Sequence, residues 1–296
     1  METTMSTTTT TEPTTRTLDV PGAALTYDVR RNEASTEPPL FLIGHPMGAG
    51  GFPTLSGYFA DRTIITYDPR GSERSTAHDL AAAITPDINA RDLHAIVEAV
   101  GGPVDVFASS GGAVNALAWV AKYPNDVRTL VAHEPPLASI VADREYALAV
   151  CRAMNATYER SGWGAGMAHF IQVVGHRGEF TAEDVTAPPP DPAAFGMPSE
   201  DDGSRTDLML AHNVLWLVSF EPDFDAVRAA PTRIVVAVGE KSDGELAHRG
   251  GVAAAERLGQ EPTEFPGDHG GFLGGEYGQT GEPEAFAGKL REVLAG

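Results

Sequence analysis

The sequence predicts an α/β fold with a mostly parallel central sheet, on three observations. Short apolar runs alternate with helical stretches. Most of these runs are apolar at every residue, not every second one. The alternation breaks once, between about Ala138 and Ala230, where only helical pieces occur. A continuously apolar run is the mark of a strand buried on both faces, and strand–helix alternation is how a sheet covered on both sides is connected. The break therefore marks a helical insert.

Taken in order, the β-like runs are "TLDV" and "ALTYDV", then "LFLIGH", "TIITYD", "VDVFAS" and "RTLVAH". Helical stretches fall between them. "TPDINARDLHAIVEAV" carries its apolar residues at Ile88, Leu93, Ile96, Val97 and Val100, and "GAVNALAWVAKYP" is rich in alanine until Pro124 stops it. In the insert, "REYALAVCRAMNATYER" and "DLMLAHNVLWLVSF" read as helices joined by the proline-rich "TAPPPDPAAFGMPSEDDGS". The sheet pattern resumes at "RIVVAVGE", passes through the helix-like "ELAHRGGVAAAERLG" and the short strand "PTEF", and ends in the helix-like "EPEAFAGKLREVLAG". The expected organisation is a core of residues 17–137 and 231–296, with a helical cap of residues 138–230 inserted after the sixth strand. Residues 1–16, rich in threonine and lacking an apolar face, read as a disordered tail.

Composition narrows the function. At 296 residues and 42% hydrophobic, the chain can fill a sizeable core. Lys and Arg number 21 against 41 Asp and Glu, a formal net charge of -20, which repels phosphate backbones and anionic lipid surfaces. Nucleic acid and membrane are thus poor partners, and a neutral or weakly charged small molecule is the better one. Cys151 is the sole cysteine, so neither a disulfide framework nor a multi-cysteine metal site is available. The histidines are scattered without an H-E-x-x-H pattern, and "GHPMGAGG" lacks both the Lys-Ser/Thr of a P-loop and the G-x-G-x-x-G spacing. No metal and no cofactor are expected. The N-terminus lacks the basic start and apolar stretch of a signal peptide, and no run of about 18 apolar residues occurs, so the expected location is cytoplasmic. The assembly state is open, a homodimer included.

The chemistry concentrates at "VDVFASSGGAVNALAWV". "FASSGGA" has the small-x-Ser-x-Gly form of a nucleophile elbow, with Ser110 at its centre and Ala108 in the place of the first glycine. A sharp turn from buried strand to helix strains the central residue and brings its neighbours against the next strand, so Ala108 and Gly112 must be small. The same turn lifts the Ser110 hydroxyl above the sheet and aims the Gly111 amide where an oxyanion forms. Ser109 is the alternative nucleophile. Read without its context, Ser-Ser-Gly-Gly is an ordinary flexible turn.

On these residues the chain resembles the α/β-hydrolase fold from about Thr17 to Gly296. Three further segments carry the resemblance: "LFLIGHPMGAGGF", "TYDPRGSERS" and "PGDHGGFLG". The first is similar to the loop that completes the oxyanion hole, the second to a D-x-R-G-x-G-x-S turn, the third to the late histidine loop. Two positions depart from that pattern: Pro46 follows the loop histidine, and Glu73 stands where the second turn has a glycine. Pro46 has no N–H, so Met47 becomes the second oxyanion donor. The resemblance implies that His269 relays the proton of Ser110, whose hydroxyl is otherwise a weak nucleophile. His45 and His133 also end strands and are better read as packing or hydrogen-bonding groups.

Two carboxylates compete to orient His269. Asp243, with Glu240 nearby, follows "RIVVAVGE", where most such enzymes carry their acid. Glu134 follows "RTLVAH" and is pinned by two prolines. "FASSGGAVNALAWVAKYPNDVRTLVAHEPPL" is similar to the same stretch of zearalenone-type lactone hydrolases, and that resemblance favours Glu134. The implied activity is cofactor-independent serine hydrolysis of a hydrophobic ester or lactone. Perhydrolase or lyase chemistry, or a small-molecule receptor, is the alternative. Cap residues Trp163, Met167, Phe170, Met197, Leu215, Trp216 and Phe220 are candidates to line a pocket, with Trp163, Met167 and Trp216 the foremost substrate-binding choices.

Overall fold

The structure, a computed structural model, describes residues 12–79 and 82–296. Its sheet has nine strands: β1 (Thr14–Val20), β2 (Ala23–Arg30), β3 (Leu40–Ile43), β4 (Ile64–Tyr67), β5 (Thr76–Ala77), β6 (Val104–Ser109), β7 (Val127–His133), β8 (Arg233–Gly239) and β9 (Thr263–Phe265). They lie in the order β1-β2-β4-β3-β6-β7-β8-β9, with β5 paired to β2 off this path. β1 pairs antiparallel with β2, and β2 pairs antiparallel with β4. From β4 through β3, β6, β7 and β8 to β9 every pairing is parallel.

The continuous apolar runs are explained by the two layers of helices they meet. α2 (Pro86–Val100), α3 (Gly111–Lys122), α7 (Phe224–Ala229) and α8 (Leu246–Leu258) contribute to a core cluster on one face with Phe41, Ile43, Val106, Ala108 and Leu130. α1 (Pro53–Gly57) and α9 (Pro283–Ala295) pack on the other, against Leu40, Leu42, Phe107 and Val131. Successive residues of one strand thus serve opposite cores, which is the period of two expressed in a sheet without a wet face.

The cap comprises α4 (Arg144–Val174), α5 (Ala182–Thr186) and α6 (Val214–Ser219), with one turn of π-helix at Met209–Asn213. It leaves the core after "RTLVAH", as the sequence implies. That strand is the seventh in chain order only because the two-residue β5 precedes it. α4 is broken at Gly162 (φ 81°), where a side chain would run into Asp201, its Cβ only 2.2 Å from the carboxylate. The cap has its own apolar cluster, including Val150, Met154, Val173, Phe180 and Val218, and shares it with Leu246 of α8.

One expectation is corrected at the N-terminus. Residues 1–11 lie outside the described residues, but Thr14, Thr15 and Arg16 are strand, paired with Val29, Asp28 and Tyr27. Threonine lacks an apolar face yet is β-branched and favours extended backbone when an edge is there to receive it. Among the described residues, no helix is long and apolar enough to cross a membrane.

Candidate active site

Ser110 occupies the corner between β6 and α3 with φ 59° and ψ -129°, a positive φ that an L-residue adopts only under constraint. The constraint is local. Its N–H donates to the His133 carbonyl at 2.9 Å, and its carbonyl accepts from Ala113 at 2.9 Å. A Cβ at Gly112 would lie 2.7 Å from the Ile43 carbonyl oxygen, and one at Gly111 2.8 Å from that of His45. The two glycines let α3 begin directly against the loop that follows β3. The neighbouring serines part company here: Ser109 is buried with its hydroxyl 3.1 Å from His133 Nδ1 and touches one cavity, whereas Ser110 is half-buried and borders two.

Glu134 is the second residue at a strand end with a positive φ, 48°. Its N–H donates to the Ala237 carbonyl at 2.9 Å, and its carboxylate is fully buried. Oε2 accepts from His269 Nδ1 at 2.6 Å. Oε1 accepts from the Gly239 N–H at 2.8 Å and from the Ser242 hydroxyl, and lies 3.6 Å from His248 Nδ1. Burial alone would push this carboxyl up; His248 and His269 reverse that and hold it well below the usual carboxylate range. Asp243, the competing acid, is displaced to the surface: its side chain is 89% exposed and meets His248 at 3.7 Å. Ser242, one residue earlier, turns inward and donates to Glu134 instead. Glu240 is exposed.

His269 is pressed down by burial and raised more strongly by Glu134, with Glu245 and Asp268 adding to the lift, so its pKa lies above the ordinary histidine value. With Nδ1 committed to Glu134, Nε2 is the nitrogen left for the cavity that His269 shares with Ser110. The other strand-end histidines differ. His133 sits among Phe107, Phe265, Phe272 and Phe286. His45 is 2% exposed, and neither of its ring nitrogens has a hydrogen-bond partner among the described residues. Burial brings each down to about 4, so both are neutral.

The loop after β3 is braced by the "TYDPRGSERS" turn. Asp68 accepts from the Ala49 N–H at 2.9 Å and from Arg74 at 2.6 Å, and Glu73 accepts from the Gly48 N–H at 3.3 Å. Glu73 holds a φ of 48°, which is why a glycine suits that position, and its hydrogen bond to Gly48 gives the side chain a use there. Met47, immediately before the clamped amides, borders the same cavity as Ser110.

Two cavities meet at Ser110, His269, His45, Pro46, Glu245 and Gln279. One, about 490 Å³, opens past Met47, Glu73, Asp268 and Tyr277. The other, about 410 Å³, runs under the cap between Cys151, Met154, Phe170, Met209, Val214 and Leu217. Of the cap residues named from sequence, Phe170 borders it. Trp163, Met167 and Trp216 do not. Trp163 is 38% exposed, beside the break at Gly162, and its indole N–H donates to Asp207 at 3.1 Å. Trp216 is 45% exposed: on α6 it lies two residues from Val214, so the helical period turns it away from the face that presents Val214, Leu217 and Val218. Met167 follows the break and is half-buried elsewhere in the cap. The residues missed, Cys151 and Met154 on the first half of α4 and Ile171 and Val174 on the second, have helical spacing, but the turn at Gly162 hides that both halves face one chamber.

No family model matches the chain. An uncharacterized hydrolase of Bacillus subtilis (strain 168), YraK, is 26% identical over 290 residues, covering 94% of this chain and 95% of that protein. Among solved structures, the α/β hydrolase MGS-M2 from a Medee basin deep-sea metagenome library superposes with a TM-score of 0.68 at 14% identity, covering 95% of this chain and 98% of its own. The chain has the α/β-hydrolase fold. A thermophilic esterase from Thermogutta terrifontis (TM-score 0.64, 19% identity) and the enol-lactonase from Burkholderia xenovorans LB400 (0.64, 15%) share it. They cover 96% and 95% of this chain and 98% and 100% of their own. In this α/β-hydrolase fold the sheet order places the ends of β6, β7 and β8 side by side, which is where Ser110, Glu134 and the Ser242 turn are found.

Proposed function

We propose that the protein is a cofactor-independent serine hydrolase that cleaves a hydrophobic carboxylic ester or lactone through an acyl-enzyme. The observation that carries this reading is the 2.6 Å contact of buried Glu134 with His269, which lines a cavity together with Ser110 on its strained elbow. Ser110 attacks the carbonyl carbon while His269 Nε2 takes its proton, and Glu134 stabilises the imidazolium so formed. The Gly111 and Met47 amides hold the oxyanion. His269 then returns the proton to the leaving oxygen, and water, activated by the same histidine, releases the acid. The hydrolase, esterase and enol-lactonase names of the similar proteins agree with this chemistry.

The test is intact-mass analysis after treatment with a fluorophosphonate, beside turnover of an aryl ester and a lactone. One adduct in the wild type, absent in Ser110→Ala and accompanied by ester turnover, is the expected result. A wild type without adduct or turnover would falsify the activated-serine reading and leave a small-molecule receptor.

A further inference from the structure

The two cavities that meet at Ser110 differ in kind. Beyond their shared residues, the chamber under the cap is lined by carbon and sulfur groups, chiefly Cys151, Met154, Phe170, Met209 and Leu217. The open chamber adds to the apolar Met47, Phe272 and Leu273 the carboxylates of Glu73 and Asp268 and the phenol of Tyr277, and Glu245 stands at the junction. Neither lining includes a lysine or an arginine. Arg177 is paired with Glu245 at 2.9 Å, Lys241 with Glu282 at 2.5 Å and Arg74 with Asp68 at 2.6 Å.

Two further observations point the same way. Tyr277 is raised to about 12, by burial first, with Glu73, Asp68 and Glu276 adding to the lift, and its hydroxyl lies 3.5 Å from Glu73 Oε1. His45 borders both chambers at their junction, 2% exposed and with its ring nitrogens unpaired, and a buried polar group left unpaired there is one a polar ligand atom can complete.

We infer that the substrate spans both chambers: an apolar acyl group under the cap and a polar, cationic or hydrogen-bond-donating alcohol in the open chamber. The inference rests on the serine-hydrolase reading. Orientation follows from the order of events. The alcohol leaves first and water must replace it while the acyl group stays on Ser110, so the alcohol belongs on the side that opens to solvent. Tyr277 (59% exposed) and Asp268 stand on that side. The same carboxylates disfavour an anionic alcohol.

The test uses hexanoate esters of three alcohols: a trimethylammonioethyl group, its uncharged 3,3-dimethylbutyl isostere, and an anionic carboxymethyl group. The expected kcat/KM falls in that order, with the cationic ester about tenfold above the anionic one. In the double variant Glu73→Gln/Asp268→Asn the cationic-to-neutral ratio falls toward one. Acetate esters of the same alcohols are slower throughout, because they leave the cap chamber empty. Turnover with equal rates for the three alcohols, or a ratio unchanged in the double variant, overturns the inference and leaves the hydrolase reading intact. Loss of fluorophosphonate labelling together with all ester turnover in the wild type overturns both.

Discussion

The rim of the sheet and the cap meet at one cavity but are built in opposite ways. At the rim, backbone hydrogen bonds fix the chemistry. β6 and β7 pair in parallel register, Ala108 with Ala132 and Ser109 with His133, so Ser110 and Glu134 leave the sheet at the same level. Each does so with a positive φ, and each donates its N–H to the next strand: Ser110 to His133, Glu134 to Ala237. Among the described residues, the cap meets this rim through one isolated bridge, Arg177 with Glu245, and not through a ladder. Its contribution is a broken helix, a π turn and apolar side chains. On the proposed mechanism, position is held where proton transfer needs it, and shape is left to residues that can change without moving the reacting atoms.

The largest expected effect tests the rim directly. Ser110→Ala should lower kcat by about 10⁴- to 10⁶-fold, leaving only binding and oxyanion contributions. Ser109→Ala, which frees His133 Nδ1 from its hydroxyl, should cost far less in a single-turnover assay. Equal losses for the two serines would mean that the elbow does not separate their roles.

Next comes the acid. Glu134→Gln should lower kcat by about 10³- to 10⁴-fold, since it removes the charge that stabilises the imidazolium. Asp243→Asn, 89% exposed, should stay within about twofold. The pH profile supplies a second reading. His269 must be neutral to accept a proton, and its pKa is raised, so kcat/KM should climb with pH through a value above the ordinary histidine range of about 6.5. In the residual activity of Glu134→Gln that acid limb should move down. A limb that stays put would detach Glu134 from His269.

These contrasts also explain what was legible in the sequence. The elbow and the strands around it could be read because sharp turns and doubly buried strands restrict residue type sharply, whereas His269 was singled out through the family resemblance. The choice between Glu134 and Asp243 could not be read from spacing, because both follow strands that end on the same rim, and a resemblance was needed to favour one. Trp163, Met167 and Trp216 misled because size and apolarity say that a cap side chain is buried somewhere, not which face of its helix meets the chamber. Gly162 breaks the period that would have told. Thr14–Arg16 misled for the complementary reason: strand formation there depends on pairing with β2, a partner distant in sequence.

A moderate effect is expected on stability. His45 and His133 are buried neutral, with folded pKa values of about 4. The unfolded chain binds their protons near pH 6.5. Between those values the unfolded state holds more protons, so stability rises with pH and is lost as pH falls from about 6.5 toward 4, by up to roughly 3 kcal/mol per histidine. Melting temperatures of His133→Gln should accordingly vary less across this window than those of the wild type. Because His269 and His248 are raised and act in the opposite sense, the decisive reading is the difference between the two proteins: a His133→Gln profile parallel to that of the wild type from pH 7 to 5 would show that His133 is not held neutral.

The smallest effects belong to the cap, and they sharpen the comparison most. Trp216 is large and aromatic, the kind of residue that dominates binding sites, yet it sits on the outer side of α6; Trp216→Ala should leave kcat/KM within about twofold for every ester. Met154 is 1% exposed and borders the apolar chamber. Met154→Ala lengthens that chamber, and its signature should be a shift of about tenfold in relative kcat/KM toward longer acyl chains, with the fluorophosphonate adduct retained. Folding cost must be separated from this, because truncating a buried methionine destabilises by about 2–5 kcal/mol; Met154→Leu, which nearly conserves volume, should restore stability while keeping the wild-type preference. If Trp216→Ala rather than Met154→Ala redirected chain-length preference, the cap would present its outer face to substrate, and the division between a rigid rim and an adjustable roof would not hold.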